Sequence, residues 1–292
     1  MAWATNERER KCSRMRNLKT AALTVAVFLA AMTSTMADWP QWRGPNSSGA
    51  ALAVDHVFSS WPSGGVTQLW ESTSYPSNSS YGSVIASGGR AYAVVGDHTL
   101  ICLNTADGSE VWKSAYLGDG DVHTTPCLYK GRVYVTMSSG STTMNCIESN
   151  GTIRWSVTNL GGNVDSSPIG IGGVVVLDTT DVRGFDPDTG AVRWQGIPCN
   201  NRASPAAWRK NGREYAIVNG MTNTLCLDTA TGSLMWQMPL MGDDSTPTVS
   251  GDLAIAADAM NIYCLHMTET NVTIVWSNTL YTSSSSHCVY NG

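Results

Sequence analysis

The sequence has little phenylalanine, little charge and no long apolar run. Of 292 residues, three are Phe against 11 Trp, and only 14% are charged. With 42% hydrophobic residues the composition is that of a core-forming protein and excludes a disordered chain. The longest apolar stretch, Ala21 to Ala31, is 11 residues long, too short to cross a bilayer as a helix. Past residue 37 no segment carries a helical period. There is no Cys-x-x-Cys, no His-Glu-x-x-His, no nucleophile elbow and no phosphate loop. These absences remove the usual sequence signals of zinc, hydrolase and nucleotide chemistry.

What is present begins with an export signal. Arg8, Arg10, Lys11, Arg14, Arg16 and Lys19 precede the apolar run, and Thr35 and Ala37 supply small residues at −3 and −1. Residues 1–37 therefore read as a signal peptide cleaved before Asp38, with Met15 as an alternative start. There is no twin-arginine pair. No cysteine follows the run, which argues against a lipid anchor. The predicted location is the periplasm or the extracellular space. Removing six basic and two acidic residues from totals of 18 and 23 leaves 12 and 21, a net charge of −9. Such a surface repels phosphate backbones, so nucleic acid is excluded as a partner.

An exported chain with eight cysteines suggests disulfides. The spacing points elsewhere. Cys102, Cys146, Cys226 and Cys264 recur in LICL, MNCI, TLCL and IYCL, and Phe185 is assigned to the same slot in a fifth copy. A slot that takes Cys or Phe is expected to be apolar core. Cys127 and Cys288 share a second repeat position, and Cys199 stands alone.

The repeat decides the fold. Trp70, Trp112, Trp155, Trp194, Trp236 and Trp276 are separated by 42, 43, 39, 42 and 40 residues. Gly108, Gly151, Gly190 and Gly232 lie four residues before four of them, and Thr125-Pro126, Ser167-Pro168, Ser204-Pro205 and Thr246-Pro247 give a second mark. One unit reads as strands over 126–129, 132–137, 143–147 and 152–156, with Asn150-Gly151 as a turn in which both residues take positive φ. Four antiparallel strands in about 41 residues make a propeller blade. The six tryptophans are expected to wedge successive blades together.

Complete blades are expected at about 83–116, 124–158, 166–197, 203–239 and 245–280. VTQLWES around Trp70 reads as an orphan outer strand within a 38–80 leader, and SSSSHCVYNG as the first strand of another blade. The fold class is thus all-β: a propeller of four-stranded antiparallel blades over 81–292, an incomplete ring of seven or eight, truncated at the C-terminus. Eight blades need about 330 residues, against 255 after residue 37.

These units resemble the pyrroloquinoline-quinone (PQQ) repeat, most clearly in DTATGSLMW, residues 228–236, and DWPQWRGPNSSG at 38–49 resembles the leader of exported PQQ-like propellers. The resemblance implies one of two roles. Quinoprotein dehydrogenases oxidise alcohols or sugars with PQQ and Ca²⁺, and many carry adjacent cysteines, which this chain lacks. Scaffold propellers, such as that of the outer-membrane β-barrel assembly machinery, need no cofactor. The expectation is a monomeric, non-spanning binding scaffold of the cell envelope without catalytic or metal residues. A PQQ- and Ca²⁺-dependent dehydrogenase and a carbohydrate-binding propeller are the alternatives.

Repeated residues serve folding, so function is sought where copies differ. Two residues before each Ser/Thr mark stand Tyr81, His123, Asp165, Arg202 and Asp244, with Ser284 as a sixth copy. They are expected to ring one mouth of the central channel and to bind a protein or a small polar ligand. Asp178 to Asp181 and Asp186 to Asp188 are acidic turns that also suit calcium, although Asp serves such turns through backbone hydrogen bonds alone.

Overall fold

The structure, a computed structural model, describes residues 38–49, 63–76, 81–138, 141–161, 164–199, 202–240, 244–258, 260–279 and 286–288. The chain divides between Met36 and Ala37. The expected signal segment and Ser284 lie outside the described residues.

Every regular element among the described residues is a β-strand, and the strands form five antiparallel four-stranded sheets in consecutive order. The first holds β1 (Ile85–Ser87), β2 (Arg90–Val95), β3 (Thr99–Asn104) and β4 (Glu110–Lys113). The second holds β5 (Cys127–Tyr129), β6 (Arg132–Met137), β7 (Thr143–Ile147) and β8 (Ile153–Val157). Then follow β9 (Ile169–Ile171), β10 (Val174–Asp178), β11 (Asp181–Phe185) and β12 (Val192–Pro198). The fourth sheet is β13 (Ala206–Lys210), β14 (Arg213–Asn219), β15 (Thr224–Asp228) and β16 (Leu234–Met238). The fifth is β17 (Thr248–Ser250), β18 (Leu253–Ala257), β19 (Asn261–Met267) and β20 (Val272–Thr279). This is a propeller, with the first strand of each blade beside the first strand of the next.

Local chemistry sets the hairpins. In the first four sheets the turn after the first strand takes positive φ at two positions, and in the fifth at Gly251 alone. Gly88-Gly89, Lys130-Gly131, Gly172-Gly173 and Asn211-Gly212 supply it. The last hairpin of each of the first four blades instead closes on one left-handed glycine, as at Gly151 (φ +87°). Asn150 does not share that conformation. Its Oδ1 accepts from Thr152 N at 3.1 Å and from Thr152 Oγ1 at 2.7 Å, so it stabilises the turn with its side chain. A register shift follows in every sheet, for example between Cys146 and Ile147.

A four-stranded blade has too little thickness for a core of its own, and the apolar side chains collect between blades. Four clusters fill the four junctions between consecutive sheets. The outer-strand tryptophans of the first four sheets reach forward to the turn of the next sheet. Trp194 lies over Gly232, where a Cβ would come within 2.7 Å of the indole, and donates Nε1–H to Thr229 O at 2.8 Å. Trp155 reaches Gly190 and Pro187 O, and Trp236 reaches Thr268 O. Trp112 covers Gly151. The glycine four residues before a tryptophan is therefore the seat of the preceding one.

Cys102, Cys146, Cys226 and Cys264 are buried free thiols, each paired across the ladder with its own blade's tryptophan. In the third sheet that partner is Gly184, not Phe185. Phe185 takes the next position, pointing back toward Cys127, Tyr134 and Cys146. The bulky ring cannot occupy the slot, because even a Cβ on Gly184 would collide with the Trp194 indole. Residues 65–76 form no ladder, in contrast to the orphan strand expected there. They lie along the first sheet instead, with Trp70 over Gly108 and donating to Thr105 O at 2.8 Å.

Candidate functional site

The approach to each first strand carries two layers with different jobs. The inner layer is a belt. Ser83 N donates to Thr125 Oγ1 at 3.0 Å, Thr125 N to Ser167 Oγ at 2.9 Å and Ser167 N to Ser204 Oγ at 2.9 Å. Ser204 N donates to Thr246 Oγ1 at 3.2 Å, and Thr246 N to Ser286 Oγ at 3.1 Å. Each hydroxyl thus satisfies the equivalent amide of the preceding blade, which from Thr125 onward belongs to a buried residue. This is why Ser or Thr, and not merely a small residue, recurs at this mark.

Two residues upstream, the copies differ, and Tyr81 touches His123, His123 touches Asp165 and Arg202 touches Asp244. Tyr81, 71% exposed, stands edge-on to His123 with ring centroids 5.1 Å apart. His123 Nδ1 lies 2.7 Å from Asp165 Oδ1. A carboxylate only accepts, so Nδ1 carries the proton and Nε2 points away, 3.9 Å from Asp121 Oδ2. Asp165 also acts electrostatically on Arg202. Arg202 Nη1 donates to Asp244 Oδ2 at 3.2 Å, and this bond and the Asp244 charge, with a smaller contribution from Asp165, raise the guanidinium above its ordinary value. The result is an arc of donors and acceptors with alternating charge. It offers an outward Nε2, a phenol and spare guanidinium N–H groups to a ligand.

The other sequence candidates have structural partners. Asp178 is fully buried, and burial pushes its carboxyl well above the usual range. A protonated carboxyl is a poor cation ligand. Asp181 accepts from Arg183 at 2.5 Å and from Gln195. Asp186 accepts from the backbone N–H of Asp188 and Thr189, and Arg193 holds its pKa down to about 2. Asp188 bonds Arg132 at 2.8 Å. Burial pushes the Cys146 thiol to about 11 and the Cys127 thiol to about 12, so neither is a nucleophile at neutral pH.

No three His, Cys, Asp or Glu side chains among the described residues come together to hold a cation. Of the arc's carboxylates, Asp165 faces His123 and Asp244 faces Arg202. This donor set does not fit a quinone–calcium pair.

Residues 62–278 match the family model described as outer membrane protein assembly factor BamB. The chain belongs to this family. No curated protein sequence matches the chain. The BamB of Moraxella catarrhalis shares the fold with a TM-score of 0.51 and 18% identity, over 65% of this chain and 58% of that one. The quinohemoprotein alcohol dehydrogenase of Comamonas testosteroni gives 0.64 and 13%, over 86% of this chain and 50% of that one. The chain therefore spans less than two thirds of either protein. Likenesses this distant carry the fold and no activity.

Sequence reasoning missed a set of residues on the axial side. The segment from Asp38 to Gly49 lies against the first strands, and Trp42 donates Nε1–H to the belt hydroxyl of Thr246 at 3.1 Å. The available signal was local: two tryptophans and an arginine within five residues of a segment that has no blade pattern.

Proposed function

We propose that this protein is an exported binding scaffold of the cell envelope, which engages a protein partner through Tyr81, His123, Asp165, Arg202 and Asp244. One observation carries the reading: the positions at which the copies diverge form a single connected arc on one end of the first strands. Residues conserved in type across the copies hold blades together, so an arc that varies and stays polar is free to recognise something else. Export follows from the basic and apolar N-terminal segment. The family description supports a partner in outer-membrane assembly.

The test places a photo-crosslinking amino acid at Tyr81 in cells of the native host. The expected product is one adduct with an envelope protein, lost when Asp165→Asn and Arg202→Ala are combined. No adduct, or one that survives the double change, refutes the proposal. The purified protein is also assayed for dye reduction with PQQ, Ca²⁺ and a panel of alcohols and sugars. Turnover there would replace the scaffold reading with the dehydrogenase.

A further inference from the structure

A first strand has a ladder partner on one side only, β2 for β1 and β6 for β5. Its axial edge presents backbone amides that need acceptors. The residue three positions after each belt hydroxyl places such an amide toward the axis, and the 38–49 segment satisfies it in all five sheets. Ala86 N donates to Trp39 O at 3.0 Å, with Trp39 N returning a bond to Ala86 O at 2.6 Å. Leu128 N donates to Pro40 O at 2.6 Å. Gly170 N donates to Gln41 Oε1 at 3.2 Å. Ala207 N donates to Ser47 Oγ at 3.0 Å, and Val249 N to Ser47 O at 3.4 Å.

The segment is shaped for this. Arg43, Gly44, Ser47 and Gly49 all have positive φ, and Gly49 N closes back on Arg43 O at 3.0 Å. Gly44 sits against the Trp39 ring, where a Cβ would be 3.0 Å away. Gln41, Arg43 and Ser47 are 4%, 8% and 1% exposed. Arg43 Nη2 donates to Thr248 Oγ1 at 2.7 Å.

We propose that the axial edges of the five first strands form one peptide-binding site and that residues 38–49 are its resident ligand, supplied by the chain itself. Recognition uses main-chain carbonyls together with the Gln41 and Ser47 oxygens, in the manner of strand addition to a sheet edge. The ligand class is a compact peptide with acceptors spaced to meet five equivalent amides. This site is separate from the arc, and neither proposal depends on the other.

The test keeps the whole chain and installs a protease site between Gly49 and Ser63. After folding and cleavage, the 38–49 fragment is expected to travel with the protein through gel filtration. An excess of labelled DWPQWRGPNSSG peptide is expected to replace it, and a peptide carrying Gln41→Ala and Ser47→Ala to compete about tenfold less well. Loss of the fragment on the first column refutes the proposal, as does a fragment that never exchanges or a scrambled peptide that competes equally. A second measurement needs no cleavage. In uncut Ser47→Ala protein the Ala207 amide should exchange hydrogen at least about tenfold faster, with Cys226 and Leu227 amides unchanged. An unaltered Ala207 amide also refutes it.

Discussion

Trp236 and Trp276 occupy the same place in two neighbouring sheets and have opposite fates. Trp236, on β16, is 6% exposed, seated toward Thr268 of the following sheet. Trp276, on β20, is 46% exposed, and Ile274 and Val275 beside it are 47% and 56% exposed. Both indoles pair with a buried cysteine on their own third strand. The difference lies entirely in the next blade. A tryptophan of this repeat is buried by its neighbour and not by its own sheet, so the energetic unit is the junction and not the blade.

The largest effect should come from breaking a filled junction. Trp236→Ala is expected to cost about 3–5 kcal/mol, and Trp276→Ala less than about 1 kcal/mol. Urea unfolding of the two variants checks this, and similar losses would break the comparison.

The seat can be tested apart from the indole. Gly232 (φ +74°) lies under Trp194, whereas Gly251 (φ +58°) has open space at its Cβ position. Alanine at either imposes left-handed strain of about 1 kcal/mol. At Gly232 it must also displace the ring, for about 2–3 kcal/mol in all. Equal losses by chemical denaturation would mean that the indole yields freely.

The belt gives a smaller contrast of the same kind. Ser204→Ala strands the buried Ser167 amide and should cost about 1–2 kcal/mol. Ser286→Ala acts on the last link, at a half-buried serine, and should cost less than half as much. Thermal melts of both variants decide it.

The smallest effect sharpens the picture of the interior. The buried Asp178 carboxyl has a raised pKa, so the folded protein holds its proton where the unfolded chain has released it. Its contribution is fully present below the ordinary carboxylate pKa and is lost as pH rises toward the folded value. Asp178→Asn removes that loss. The expected gain in Tm is about 3 °C at pH 8 and none at pH 3. A gain independent of pH would mean that folding leaves the carboxyl's pKa unshifted.

Much of the second blade was legible residue by residue. Strands expected over 132–137 and 143–147 are β6 and β7 with those bounds, because alternation and Gly turns act within a few positions. The arc was legible as a list, since Tyr81, His123, Asp165, Arg202 and Asp244 share one repeat position. Their pairing was not, because the His123–Asp165 and Arg202–Asp244 contacts each cross 42 residues. The misplaced Phe185 has a related cause: a one-residue shift in register exchanges the two faces of a strand.

The sequence alone determined the period, the four strands per unit, the turn residues and the apolar cysteine slots. Each depends on backbone preferences and side-chain alternation among near neighbours. Only the tertiary structure decided that the leader enters the axis and that belt hydroxyls serve the preceding blade. Those outcomes rest on hydrogen-bond partners and buried surface supplied from far along the chain, up to the 205 residues between Arg43 and Thr248. No local pattern encodes which distant group will be there to accept or to cover.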